Sequence, residues 1–151
     1  MSEPYRVRNL LVATDFSQES AAALAWAREL AQKAGPAHVV LVHAYYLPPE
    51  LLTFVGDGAP AHLEALSEHA SKELEKALVE LQDAGISADY VTEHGSPEQV
   101  VTRVAEERDI DLIVMGTHGR TGLAHLALGS VACRVVQNAP CSVLTVKGDA
   151  A

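Results

Sequence analysis

The segment best equipped for chemistry reads Gly116-Thr117-His118-Gly119-Arg120-Thr121-Gly122 and, six residues later, Gly129-Ser130. Glycine in a turn leaving a strand lets backbone N–H groups approach an anion with no Cβ in the way, and can supply the positive φ of an anion-binding nest. A Gly-Ser pair opening a helix adds a second anion site, because the first helical N–H groups and the dipole face the ligand and the Ser130 hydroxyl adds a neutral donor. Together the two halves are suited to clamp a di- or triphosphate. Taken alone, the same glycines could do no more than turn the chain. Asp15, just past the first apolar run, reads by itself as a turn or helix-cap residue. Arg120 suits phosphate pairing and an ordinary surface position alike.

The other reactive residue types point nowhere as definite. His118 and His125 flank the loop without the Cys, Asp or Glu spacing of a metal site, so hydrogen-bonded or solvent-facing imidazoles are expected and no metal ligand is assigned. His43 reads as a packed histidine at a strand end. Cys133 and Cys141 are too few and too far apart for a disulfide framework or a CxxC site, and two reduced thiols are expected. No GxxxxGK(S/T) phosphate loop occurs, so the usual lysine compensation of phosphate charge is absent.

These residues must be positioned by elements that alternate between short Val, Ile and Leu runs and longer stretches with apolar residues three and four apart, a βαβ pattern. Strands are expected at Val7 to Ala13, His38 to Ala44, Ile86 to Thr92, Ile110 to Met115 and Ser142 to Lys147. The third is the weakest and belongs near a sheet edge. The first helix starts at a Ser17 N-cap with Glu19 near the positive end of its dipole, turns Ala22, Leu24, Ala25, Trp26 and Leu30 inward, and stops at Gly35-Pro36. Tyr45 to Pro60, with its prolines and glycines, reads as an irregular excursion. Helix two runs from about Ala61 to Ala84 with Leu63, Leu66, Ala70, Leu74, Ala77, Leu78 and Leu81 as its apolar stripe, and Gly85 caps it. Ser96-Pro97-Glu98-Gln99 reads as a capping box opening helix three, which ends around Arg108. After the glycine-rich loop Gly116 to Leu128, Ser130 to Asn138 is helical and Ala139-Pro140 ends it. The fold class is therefore α/β, one five-stranded parallel sheet with helices on both faces, Rossmann-like, over the whole chain 1–151. Ligands in such sheets sit beyond the C-terminal strand ends where the strand order switches.

The chain has 151 residues, of which 48% are of the AVILMFWYC type and 21% charged, values of a globular domain rather than a disordered or membrane-spanning chain. The formal charge of −9, with scattered basic residues, argues against nucleic-acid binding. No apolar stretch follows Met1 to Arg8, so a cytoplasmic location is expected.

The spacing of Gly116, Gly119, Gly129 and Ser130 forms the pattern G-x2-G-x9-G-(S/T), which resembles the nucleotide-binding signature of the universal stress protein family. The opening Leu11-Val12-Ala13-Thr14-Asp15-Phe16-Ser17, Val42-His43-Ala44 and Val114-Met115-Gly116-Thr117-His118-Gly119 resemble that family too. The resemblance implies that Gly116, Gly119, Gly129 and Ser130 hold phosphates, with Arg120 beside them, and that Asp15 holds the ribose hydroxyls. It implies that Ala13, Thr14 and Ala44 line the adenine, where backbone groups read the base edge, with Met115 and Val131 as flanking contacts. Ser142 stands where the family often has Pro before Val, and Ala13 where Pro often precedes Thr-Asp; neither change removes a ligand donor. The implied cofactor is ATP, or AMP or ADP, with Mg²⁺, in a nucleotide-dependent stress regulator or sensor that hydrolyses slowly or not at all. The implied partner is a second copy, a homodimer paired along the edge strand Ser142 to Lys147.

An enzyme of the same architecture is the alternative. An ATP pyrophosphatase would carry a glycine-rich loop after strand one, which Ala13-Thr14-Asp15-Phe16-Ser17 lacks. A phosphoacceptor receiver domain would carry an acidic cluster after strand one and an aspartate ending strand three, where Thr92-Glu93 stands. A flavoprotein-like nucleotide-binding subunit is the remaining alternative.

Overall fold

A computed structural model of the chain describes residues 6–33, 35, 37–119 and 127–148. The strands are β1 (Asn9–Ala13), β2 (His38–Tyr45), β3 (Ser87–His94), β4 (Leu112–Gly116) and β5 (Ser142–Val146). The helices are α1 (Gln18–Lys33), α2 (Pro49–Val55), α3 (Ala59–Asp83), α4 (Pro97–Glu107) and α5 (Ser130–Asn138). All strand pairs are parallel and the sheet order is β3-β2-β1-β4-β5, so the order switches between β1 and β4. Leu11 lies opposite Val40 on one side and Ile113 on the other, which fixes the register of the three central strands.

These runs are almost wholly apolar because both faces of the sheet are covered. Leu10, Val12, Val39, Leu41 and Val114 pack with Ala23, Ala27, Leu74 and Leu81 on the α1/α3 side. Leu11, Val40, Val42, Ile113 and Met115 pack with Val100, Val104, Ala132 and Val135 on the α4/α5 side. Leu11 is fully buried, so truncating it to Ala should cost about 2–5 kcal/mol. Among the described residues no helix is long and apolar enough to cross a membrane.

Several expectations need correction. The face of α1 that meets the sheet is Ser20, Ala23, Ala27 and Ala31, while Ala25 is exposed and Trp26 is 54% exposed. Small residues win that face because α1 lies close against β4, where Gly116 leaves room for Glu19. The excursion from Tyr45 to Pro60 is structured: α2, a 3-10 turn at Gly56–Gly58, and α3 already under way at Ala59. Pro49 at the first position of α2 offers the preset φ that starts a helix, which hid the element inside a proline-rich stretch. The capping box is not made, since Ser96 gives no side-chain cap and its Oγ is buried without a hydrogen-bond partner. Of the α3 stripe, Ala70, Leu74 and Leu81 are buried and Leu66 is 37% exposed. Gly85 does follow α3 in the left-handed region, at φ 77°, with its N–H on the Gln82 carbonyl.

Candidate nucleotide site at the β1–β4 switch

A recess of about 370 Å³ opens beyond the C-terminal ends of β1, β2 and β4, where the switch in strand order leaves space between successive crossovers. Ala13, Thr14, Asp15 and Ala44 line it from the β1 and β2 ends, and Met115, Gly116 and Gly119 from the β4 end. Gly129, Ser130 and Val131 close it from the start of α5. These ten positions, far apart in sequence, thus share one cavity. Arg120 lies outside the described residues, as do Gly122 and His125.

The chain leaves β1 through Phe16 at φ 65°, a left-handed turn for a non-glycine residue. This turn puts Asp15 into the recess and sends the Phe16 ring to the other side, where its centroid is 4.5 Å from that of His43. The Asp15 Oδ1 accepts the Ser17 N–H at 3.0 Å, and the Ser17 Oγ accepts the Ser20 N–H at 3.2 Å, so the expected Ser17 cap of α1 is formed. The Thr14 N–H donates to the Val42 carbonyl and the Thr14 carbonyl bonds His43 Nδ1 at 2.8 Å. The Thr14 N–H is therefore used within the sheet, while its carbonyl keeps a second lone pair beside the recess. His43 is the packed, hydrogen-bonded histidine that its position suggested.

The glycines matter for space rather than for backbone sign. Gly116, Gly119 and Gly129 all lie outside the positive-φ region, Gly129 at φ −68°, so close approach is what calls for glycine at these three positions, while Gly122 lies outside the described residues. A Cβ on Gly116 would stand 2.8 Å from Glu19 Cβ, and one on Gly129 would stand 3.1 Å from the Thr117 carbonyl oxygen. The Gly129 N–H already donates to that oxygen at 2.6 Å. The next amides, from Ser130 onward, belong to the first turn of α5, where N–H groups lack intrahelical acceptors and favour an anion.

Sequence reasoning missed part of the apolar wall and the residue behind the loop. Tyr46, Pro97 and Val101 extend the apolar wall made by Ala13, Val42, Ala44 and Met115, and Tyr46 is 48% exposed at the rim. Its place two residues beyond Ala44 was the available signal. Glu19 was read only as a dipole partner, yet its Oε2 accepts the Thr117 hydroxyl at 2.9 Å and the His118 N–H at 2.5 Å. Burial pushes this carboxyl up, but the His118 N–H, the Thr117 hydroxyl and the His118 ring outweigh it and hold the group below the usual carboxylate value.

The universal stress protein family model matches residues 6–147. Universal stress protein MJ0531 of Methanocaldococcus jannaschii is 35% identical over 144 residues, which span 93% of this chain and 82% of that protein. The structure of MJ0577, from the same organism, overlays with a TM-score of 0.85 at 28% identity, covering 96% of this chain and 99% of the other. A universal stress protein solved in complex with cAMP overlays with a TM-score of 0.69 at 25% identity, covering 95% and 99%. A family-model match along nearly the full chain, with a relative 35% identical over 93% of it and the same fold in the solved relatives, establishes that this chain belongs to the universal stress protein family.

Proposed function

We propose that this protein binds an adenine nucleotide, ATP foremost, in the recess at the β1–β4 switch and works as a nucleotide-dependent regulator or sensor in the stress response. The observation that carries this reading is the convergence of Ala13, Asp15, Met115, Gly119, Gly129 and Ser130 on one cavity, apolar at the β2 side and faced by helix-terminal amides at the other. The base lies against Ala44 and Met115, Asp15 accepts from the ribose diol, and the phosphates meet the loop after β4 and the first turn of α5. The relative solved with cAMP, an adenine nucleotide, supports the ligand class. Nucleotide released from freshly purified protein, identified by mass spectrometry, and calorimetry with ATP and AMP test the reading. Adenine nucleotide bound at one site per chain is expected, and no binding of either would overturn it.

Turnover is expected to be slow. Fast phosphoryl transfer needs the developing charge neutralised and an attacking oxygen held in line. The described residues supply backbone donors, but Asp15 is assigned to the ribose and Glu19 is engaged by Thr117 and His118. No three His, Cys, Asp or Glu side chains gather as metal ligands among the described residues, and Mg²⁺ would enter with the nucleotide's own phosphates. Single-turnover assays with Mg²⁺ and labelled ATP decide this point: several turnovers per second, abolished by His118→Ala, would make the protein an ATPase.

The open edge of the sheet supports a second copy as partner. β5 is a sheet edge, and we propose that two copies pair there across the segment Ser142 to Lys147.

A further inference from the structure

The contacts around Glu19 assign a hydrogen atom on His118. Ionised Glu19 only accepts hydrogen bonds, and the donors around it keep it ionised. Its Oε2 takes the Thr117 hydroxyl at 2.9 Å, which uses that hydroxyl's single hydrogen. His118 Nδ1 stands 3.0 Å from the same hydroxyl oxygen and 3.3 Å from Glu19 Oε1. Both neighbours of Nδ1 among the described residues are therefore acceptors, and a hydrogen on Nδ1 satisfies them. Thr117 and His118 line the recess, while Glu19 stands behind them on the first turn of α1. Gly116 and Gly148 press on Glu19 from either side: added Cβ atoms would stand 2.8 Å from its Cβ and 2.7 Å from its Cγ.

We propose that Glu19 is a positioning residue of the nucleotide site, holding neutral His118 as its Nδ1–H tautomer, with the basic nitrogen at Nε2, and fastening the first two loop residues to α1. Its effect on ligand rests on the nucleotide reading above; the tautomer does not. A carboxylate behind a histidine fixes both the ring's orientation and which nitrogen is basic, as second partners do for metal-bound and catalytic histidines. Without Glu19 the Thr117 hydroxyl is released to donate to Nδ1, and the ring should take up the Nε2–H form.

Nitrogen-15 NMR of the His118 ring in nucleotide-free protein, at a pH where the ring is neutral, tests the assignment. The wild type should show a protonated Nδ1 and a bare Nε2, and Glu19→Ala should reverse them. A bare Nδ1 in the wild type overturns the proposal with no variant needed, and so does an unchanged ring in a folded Glu19→Ala protein. Calorimetry tests the consequence. Glu19→Ala should weaken ATP binding about tenfold, the scale of one hydrogen bond to a charged group. Because Glu19 acts through His118, the double variant Glu19→Ala/His118→Ala should lose less than the product of the single losses, and a full product would reject the coupling. A wild type that takes no adenine nucleotide removes the nucleotide reading and the positioning role together, while the NMR result decides the tautomer by itself.

Discussion

Gly119 sits directly against the Asp15 carboxylate: a Cβ placed on Gly119 would stand 2.8 Å from Asp15 Oδ2. The loop after β4 and the turn after β1 are thus in contact at the recess, and the absence of a side chain at Gly119 leaves the carboxylate its position. The atom in the way is the end of a side chain, so the fold can yield cheaply while the carboxylate moves. Gly119→Ala should change stability by no more than about 0.5 kcal/mol, as exposed substitutions usually do, yet weaken ATP binding. Denaturation midpoints and calorimetry on the same samples check both halves, and unchanged affinity would separate Gly119 from the role proposed for Asp15.

Gly129 behaves differently because its neighbours are backbone. A Cβ there meets the Thr117 carbonyl oxygen at 3.1 Å and His118 Cα at 3.3 Å, neither of which can rotate away. Gly129→Ala should destabilise the protein by about 1–3 kcal/mol, the range for overpacking, and the bulkier Gly129→Val by more. The substitution therefore tests packing before it tests phosphate binding. A Gly129→Ala protein as stable as wild type would show that the contact between loop and α5 is loose.

Asp15→Ala removes the acceptor assigned to the ribose. Losing a hydrogen bond to a charged group costs on the order of 1.5–3 kcal/mol, about ten- to a hundredfold in affinity. If the partner is the diol, the loss should shrink when wild type and variant are compared with 2′-deoxy-ATP by calorimetry. Equal losses for both nucleotides would mean that Asp15 acts through the Ser17 N–H that it accepts, as part of the turn into α1.

The sheet was legible in the sequence because its central strands are covered on both faces, and runs such as Leu10-Leu11-Val12 and Ile113-Val114-Met115 leave little choice. The side-on packing of α1 was not legible. Its bulky residues suggested one face, but close approach to the sheet selected Ala23, Ala27 and Ala31 and left Trp26 outside. α2 escaped because its Leu51, Leu52 and Phe54 are exposed, so no buried stripe marks it. At the site, spacing found the glycines without revealing that Gly116 serves Glu19 and Gly119 serves Asp15. Glu19 itself was invisible as a loop contact, since its partners Thr117 and His118 lie 98 and 99 residues away.

Glu19 should also make stability depend on pH. Its folded pKa lies below the ordinary value of 4.5, since the donors from Thr117 and His118 outweigh the opposing effect of burial. A depressed folded pKa means that the unfolded chain binds this proton more readily, so the stabilisation is present above about pH 4.5 and fades as pH falls through the folded value. Urea midpoints of wild type and Glu19→Gln from neutral pH downward should converge in that acidic range. A gap that stays constant there would mean that the carboxylate charge contributes nothing.

The edge pairing assigned to β5 can be tested at a position chosen from the sheet itself. The Thr117 N–H donates to the Val146 carbonyl at 3.0 Å, so the backbone groups of Val146 face β4. Groups alternate along a strand that pairs on one side, which turns the N–H of Val143 and Thr145 outward to the free edge. Val143→Pro therefore removes an outward donor and leaves the β4–β5 ladder its own bonds, where a proline on an edge is tolerated. The Val143 side chain is partly buried against the core, so Thr145→Pro, at the other outward position, serves as the second variant. Sedimentation should show the wild type as a dimer and both variants as monomers with the circular dichroism of the folded chain. A wild type that sediments at 16.0 kDa at every concentration, or proline variants that stay dimeric, would place the contact elsewhere or remove it.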